Sequence, residues 1–187
     1  MTRVVRLLVE PLSEAAFAPF GAVIEEKPRP PDFYGAKGTL GWNVEFQGGR
    51  PLLSLLKTPY QGFAFTKLER HLRLSQTFIP LGGATAVVAV APPSGSEDRE
   101  VVPKPDDVRA FLLDGSKGYV LAPGTWHSLD RFPLEPPDTR FVMITDHETA
   151  SDLAAAYAGK GGWQLTQEVD FEQRFGVRFE IEWSHGR

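Results

Sequence analysis

The sequence predicts an all-β domain of short strands, a barrel or a sandwich. Three observations carry this. Glycine (18) and proline (16) are frequent enough to interrupt long helices. Runs rich in β-branched and aromatic residues recur at roughly eight-to-twelve-residue spacing, with turn signals between them. Only two short segments, residues 12–21 and 151–159, carry helix signals instead.

The elements follow in order. RVVRLLVE (3–10) reads as a first strand. In LSEAAFAPFG, Ser13 is a helix cap and Glu14 suits the first turn, while Pro19 and Gly21 stop the helix. EEKPRPPDFYGAKG is loop, and LGWNVEF alternates Trp42, Val44 and Phe46 on one strand face. PLLSLLK, GFAFTKLERH, VRAFLL and RFVMITDH read as further strands. ATAVVAVAPP is apolar throughout and suits a buried strand, and Asp114-Gly115 turns the chain into GYVLAPG. SDLAAAYAG is a helix capped by Ser151. In VRFEIEW, Val177, Phe179, Ile181 and Trp183 share one face, so that strand needs an apolar partner surface in its own chain or a second one.

The 187 residues fit one domain, with a barrel over 1–147 and a C-terminal extension over 148–187 that packs on the barrel or on a dimer partner. At 42% hydrophobic and 24% charged, the composition is that of an ordinary globular protein. A net charge of -4 argues against nucleic acid or anionic membrane as a partner. The absence of cysteine excludes thiolate chemistry and disulfides. The opening apolar run is broken early by Glu10 and Pro11, unlike a signal peptide or membrane span, so the chain reads as cytoplasmic.

Two of the four histidines stand in parallel settings, in KLERHLRLSQTFIPLGG and in APGTWHSL. On a strand, Glu69 and His71 share a face and Arg70 takes the other. Gln76 follows a turn that can return it to the same cavity. His127 begins a new strand after the tight turn Pro123-Gly124. His147 and His185 lack such a setting, the first ending a strand and the second lying at the terminus. A Glu69/His71/Gln76/His127 set carries one formal negative charge and suits a divalent ion such as Mn, Ni or Zn. The same groups can also act without metal as a proton-transfer cluster.

This layout resembles the cupins, whose double-stranded β-helix, a jelly-roll barrel, carries one motif of the form HxHxxxxE and a second of the form GxxH. Here Glu69 stands at the first histidine position, His71 at the second and Gln76 at the glutamate. Gly124-Thr125-Trp126-His127 supplies the second motif. More specifically, VEPLSEAAFAPFGAVIE, KLERHLRLSQTFIPL and RAFLLDGSKGYVLAPGTWHSL are similar to segments of the ureidoglycolate lyase family, whose pattern includes LERH followed by TQAFIP. The likeness runs from about Val9 to about Asp146. It departs at Ser128, where members often carry a second histidine, and at Leu56-Lys57, where an Asn-Arg pair is expected.

The resemblance implies a cupin-fold homodimer, to which the residues themselves add a short N-terminal helix and a helix-plus-strand tail, longer after His147 than in the compact members. It implies cleavage of ureidoglycolate to glyoxylate and urea, the last step of allantoin nitrogen recovery. His71 and His127 would be base and acid. Lys57, Glu69, Gln76 and Trp126 would bind substrate, with Lys57 or Arg70 holding its carboxylate. A divalent metal, if used, would sit on Glu69, His71, Gln76 and His127. The alternatives are another cupin enzyme, a metal-dependent isomerase or oxygenase on a small organic acid, and a non-catalytic small-molecule-binding cupin.

Overall fold

The computed structural model describes residues 2–83, 85–94 and 98–183. The chain begins with β1 (Arg3–Pro11), α1 (Glu14–Phe17) and β2 (Gly21–Ile24). Ser13 caps α1, its side chain accepting from the Ala16 N–H. A small hairpin, β3 (Phe33–Tyr34) and β4 (Leu40–Gly41), precedes the long β5 (Pro51–Pro59). Next come β6 (Ala64–Phe65), β7 (Lys67–His71), β8 (Gln76–Leu81) and β9 (Ala86–Ala91). Then follow β10 (Arg109–Leu113), β11 (Gly118–Leu121), β12 (Trp126–Ser128), β13 (Phe132–Pro133) and β14 (Asp138–Asp146). The chain closes with α2 (His147–Tyr157), β15 (Thr166–Asp170), α3 (Phe171–Phe175) and β16 (Val177–Glu182).

The fold is all-β with short helices, as the turn density predicts. A five-stranded antiparallel sheet, ordered β2-β11-β8-β14-β5, faces a nine-stranded sheet ordered β15-β7-β12-β9-β10-β1-β16-β6, with β13 also paired to β9. The sheets curl around their shared interior as a half-barrel. Between them lies an aromatic-rich core that includes Phe17, Phe20, Phe78, Phe111, Tyr119 and Phe141. β9 is buried on both faces, which explains its unbroken run of small apolar residues.

The long sheet also curls over a second core. β6 pairs with β16 at one end, yet β7, which begins just two residues after β6 ends, lies near the other end. The enclosed space holds Leu68, Ala89 and Trp126 together with Phe171, Val177, Phe179 and Ile181. The alternating VRFEIEW strand finds its apolar partner here. β16 runs parallel to β1, from Arg3 opposite Val177 to Leu8 opposite Glu182. The tail thus adds to a sheet of its own chain, and its apolar face is occupied without a second copy.

Two local expectations are corrected. WNVEF forms no strand beyond Leu40–Gly41; its end is tied instead to the turn before β8, the Gln47 N–H donating to Ser75 Oγ at 2.7 Å and the Ser75 N–H to the Gln47 carbonyl at 2.7 Å. The second helix starts four residues before Ser151. Asp146 caps it, accepting from the Thr149 N–H at 2.7 Å.

Candidate active site

Strand parity and cross-strand pairing bring the two motifs together. On β7, Glu69 and His71 turn into the space between the sheets, while Leu68 joins the second core and Arg70 points away. β12 runs antiparallel to β7 and places His127 opposite Glu69 and Trp126 opposite Arg70. β15 flanks the other side and places Thr166 opposite His71. Gly124, in the left-handed region at φ 80°, lets the turn before β12 dock, its N–H donating to the His71 carbonyl at 2.7 Å. The two imidazole centroids lie 5.4 Å apart. Ligand atoms of Glu69, His71 and His127 lie within 4.8 Å of one another, and all three residues are buried.

Both rings are held from behind. His71 Nδ1 pairs with Thr166 Oγ1 at 2.9 Å, and His127 Nδ1 with the Ser128 carbonyl at 3.0 Å. A carbonyl only accepts, so His127 carries its proton on Nδ1 and turns a bare lone pair on Nε2 into the site. Among the described residues, His71 Nε2, His127 Nε2 and Gln76 Oε1 have no hydrogen-bond partner. Burial, with Arg131 nearby, lowers His71 to about 4 and holds His127 well below its ordinary value. Burial raises Glu69 to about 7. Glu69 Oε1 lies 3.9 Å from His127 Nδ1, but that ring is neutral and already bonded, so the contact is not an ion pair.

This donor set fits a divalent metal. Two neutral imidazoles oriented by second bonds, one carboxylate and one adjacent amide oxygen match the ligand preferences of such ions.

The cluster opens into a cavity of about 370 Å³. Its polar end is lined by Glu69, His71, Gln76 and Arg131, and its other end by Leu56, Met143, Leu153, Ala154 and Tyr157, the last three from α2. Arg131 escapes sequence reasoning because no spacing marks it. The residue is 2% exposed, and its guanidinium stacks on Phe78, 3.7 Å from the ring centre.

Glu69, His71, Gln76 and His127 are therefore brought together, whereas the other nominated residues are not. Lys57 lies on the outer face of β5, 61% exposed, and pairs with Asp138 at 3.2 Å. Leu56, its neighbour, takes the inward position. Trp126 is fully buried on the opposite face from His127, its indole N–H bonded to Ser94 Oγ at 2.8 Å. The Arg70 guanidinium lies 4.9 Å over the Trp126 ring and donates to Gln167, outside the cavity. His147 opens α2, half-buried, its N–H bonded to the Arg50 carbonyl. His185 lies outside the described residues.

The family model for ureidoglycolate lyase matches residues 4–166. The chain belongs to the ureidoglycolate lyase family. Among its relatives, a ureidoglycolate lyase of Burkholderia mallei (strain NCTC 10229) is 38% identical over 136 residues, 65% of this chain and 72% of that protein. One from Azotobacter vinelandii is 37% identical over 131 residues, 65% and 74% of the two chains. Ureidoglycolate lyase 2 of Rhizobium meliloti (strain 1021) is 35% identical over 181 residues, 92% of this chain and 98% of the relative. A solved structure, RmlC from Streptococcus suis in complex with dTDP-D-xylose, is similar at a TM-score of 0.33 and 8% identity over 71% of this chain and 61% of that one, too distant to carry an argument. Among the described residues, no helix is long and apolar enough to cross a membrane.

Proposed function

We propose that this lyase cleaves ureidoglycolate to glyoxylate and urea at the Glu69/His71/His127 cluster, as a cytoplasmic enzyme of purine nitrogen catabolism. The observation that carries the reading is a buried cluster of two imidazoles, each with an unpartnered Nε2, and a carboxyl, with Glu69 and His71 lining a cavity in a chain from this family. A cysteine-free chain suits a reducing compartment.

Ureidoglycolate bears a hydroxyl and a urea nitrogen on one carbon beside a carboxylate. Cleavage moves the hydroxyl proton to a base and delivers a proton to the departing nitrogen as the C–N bond breaks. A neutral imidazole Nε2, from His71 or His127, takes the first proton. Glu69 in its protonated form gives the second. The imidazolium then returns a proton to the Glu69 carboxylate, with all three groups within 4.8 Å. Gln76 has a free amide oxygen suited to a urea N–H. A divalent ion, when bound, would be held by Glu69, His71 and His127 with Gln76 adjacent, and would supply Lewis-acid polarisation of the hydroxyl. No water is consumed, so the reaction is an elimination.

For the homodimer that the family likeness implies, we propose the outer face of the five-stranded sheet as the interface. Leu53 and Leu55 are 66% and 67% exposed there, beside Ile79, Val142 and Ile144 on the paired strands. The same patch on a second copy would cover this apolar row.

The deciding experiment incubates purified protein with racemic ureidoglycolate and follows glyoxylate and urea, with and without added Mn, Ni or Zn. Stoichiometric release of both supports the assignment. No product under either condition rejects it.

A further inference from the structure

We propose that Arg131 is an anion seat within the cavity, receiving the carboxylate of the bound acid on Nη2. The role as substrate grip rests on the lyase reading above; the existence of the seat does not.

Arginine stays charged in any protein environment. Here the guanidinium is almost fully buried, and among the described residues no carboxylate oxygen lies within ion-pair distance of it. A buried cation without a counter-ion is strongly disfavoured unless something else accounts for it. Internal bonds account for only part of the group. Nε donates to the Tyr119 hydroxyl at 2.8 Å, and Nη1 to the Ser128 carbonyl at 3.1 Å and the Leu129 carbonyl at 3.4 Å. With the Phe78 ring against its face, these bonds fix the guanidinium plane. They leave Nη2 buried with no partner for its hydrogens.

The same residue lines the cavity beside Glu69, His71 and Gln76, and it is the one lysine or arginine among the described lining residues. Lys57 is on the outside of the barrel and Arg70 is behind the sheet. A carboxylate placed on Nη2 would receive charge-assisted hydrogen bonds in a site with little competing water. Its attached carbon would then face the cavity end that Glu69, His71 and Gln76 line. The geometry therefore selects for 2-hydroxy acids and related small acids over neutral molecules of the same size.

The test uses metal-free full-length protein and a matched pair of probes, glycolate and its neutral analogue glycolamide, followed by NMR titration with 15N detection of the arginine side chains. Glycolate is expected to shift the Arg131 guanidinium resonances and to bind at least about tenfold more tightly than glycolamide. In Arg131→Met, and to a smaller degree in Arg131→Lys, that preference should fall by a factor of about 10 to 100 while glycolamide binding is unchanged. Equal affinity for the two probes, or glycolate binding that leaves the Arg131 resonances in place, overturns the proposal. The intact-protein titration decides the matter even where a variant does not fold. Turnover gives a separate readout. N-(hydroxymethyl)urea lacks the carboxylate, so Arg131→Lys should lower kcat/KM for ureidoglycolate, through KM, by a larger factor than it lowers kcat/KM for N-(hydroxymethyl)urea; an equal loss for both substrates speaks against the seat. Glycolate selectivity without any turnover would keep the seat and reject the lyase reading; turnover without selectivity would do the reverse.

Discussion

Replacing Glu69 with Gln should make the metal-free protein more stable at alkaline pH relative to wild type. Glu69 is buried, and burial raises its carboxyl from 4.5 to about 7, with Arg131 pulling in the opposite direction. The folded state therefore holds this proton more tightly than the unfolded chain. Its contribution to stability is fully present below about pH 4.5 and is lost as pH rises through 7. At about 1.4 kcal/mol per pK step, the whole loss is about 3 kcal/mol, most of it falling between pH 5 and pH 8.5. For a 187-residue domain, that corresponds to roughly 5–10 °C in Tm. His71, lowered to about 4, contributes with the other sign, its stability being present above about 6.5 and lost as pH falls through 4. That contribution is common to both proteins and cancels in their difference. The assay is thermal or urea unfolding of chelator-treated wild type and Glu69→Gln at both pH values. The Tm of the variant minus that of wild type should be larger at pH 8.5 by about 5–10 °C. A difference that does not change with pH, or shrinks toward alkaline pH, would refute the account of Glu69 as a carboxyl raised by burial.

Other outcomes follow from the same geometry. His71→Ala should lower turnover at least about 100-fold with the circular dichroism spectrum intact, measured by glyoxylate release; full activity would remove His71 from the chemistry. Metal binding must displace the Glu69 proton but no His71 proton above pH 5, so zinc affinity by calorimetry should rise about tenfold per pH unit from pH 5 to 7 and then level off; a slope of two protons would contradict this. Leu55→Arg should convert the dimer to a monomer in sedimentation at micromolar concentration, and a wild type that sediments as a monomer would remove the proposed interface. Phe179→Ala deletes a fully buried ring stacked 5.0 Å from Phe65 and should cost about 3–5 kcal/mol in urea unfolding.

Much of the site was legible because strand parity is strict. Glu69 and His71 two apart on β7 must share a face, and the turn before Trp126-His127 announces the second half. The same rule sends Trp126 away from the cavity once His127 faces in, so those two neighbours cannot both line it. Lys57 was harder to place. Leu53 and Leu55 on one face of β5 and Leu52 and Leu56 on the other give both parities an apolar character, so the pattern does not reveal which side faces inward. Arg131 gave no signal, since a buried arginine held by backbone carbonyls and a tyrosine looks in sequence like any surface one. The false strand at WNVEF alternates correctly but pairs with no strand among the described residues, and bonds between Ser75 and the Gln47 backbone hold the segment that follows it.

The parallel pairing of β16 with β1 bears on how this protein can be divided. The family model stops at residue 166, before α3 and β16, although the Rhizobium meliloti relative aligns over 92% of the chain. A fragment cut at that point would leave Leu7, Leu68 and Trp126 without Phe171, Val177, Phe179 and Ile181, the rings and aliphatic chains that cover them. Excision at the family-model boundary should therefore yield an aggregating remnant rather than a minimal catalyst.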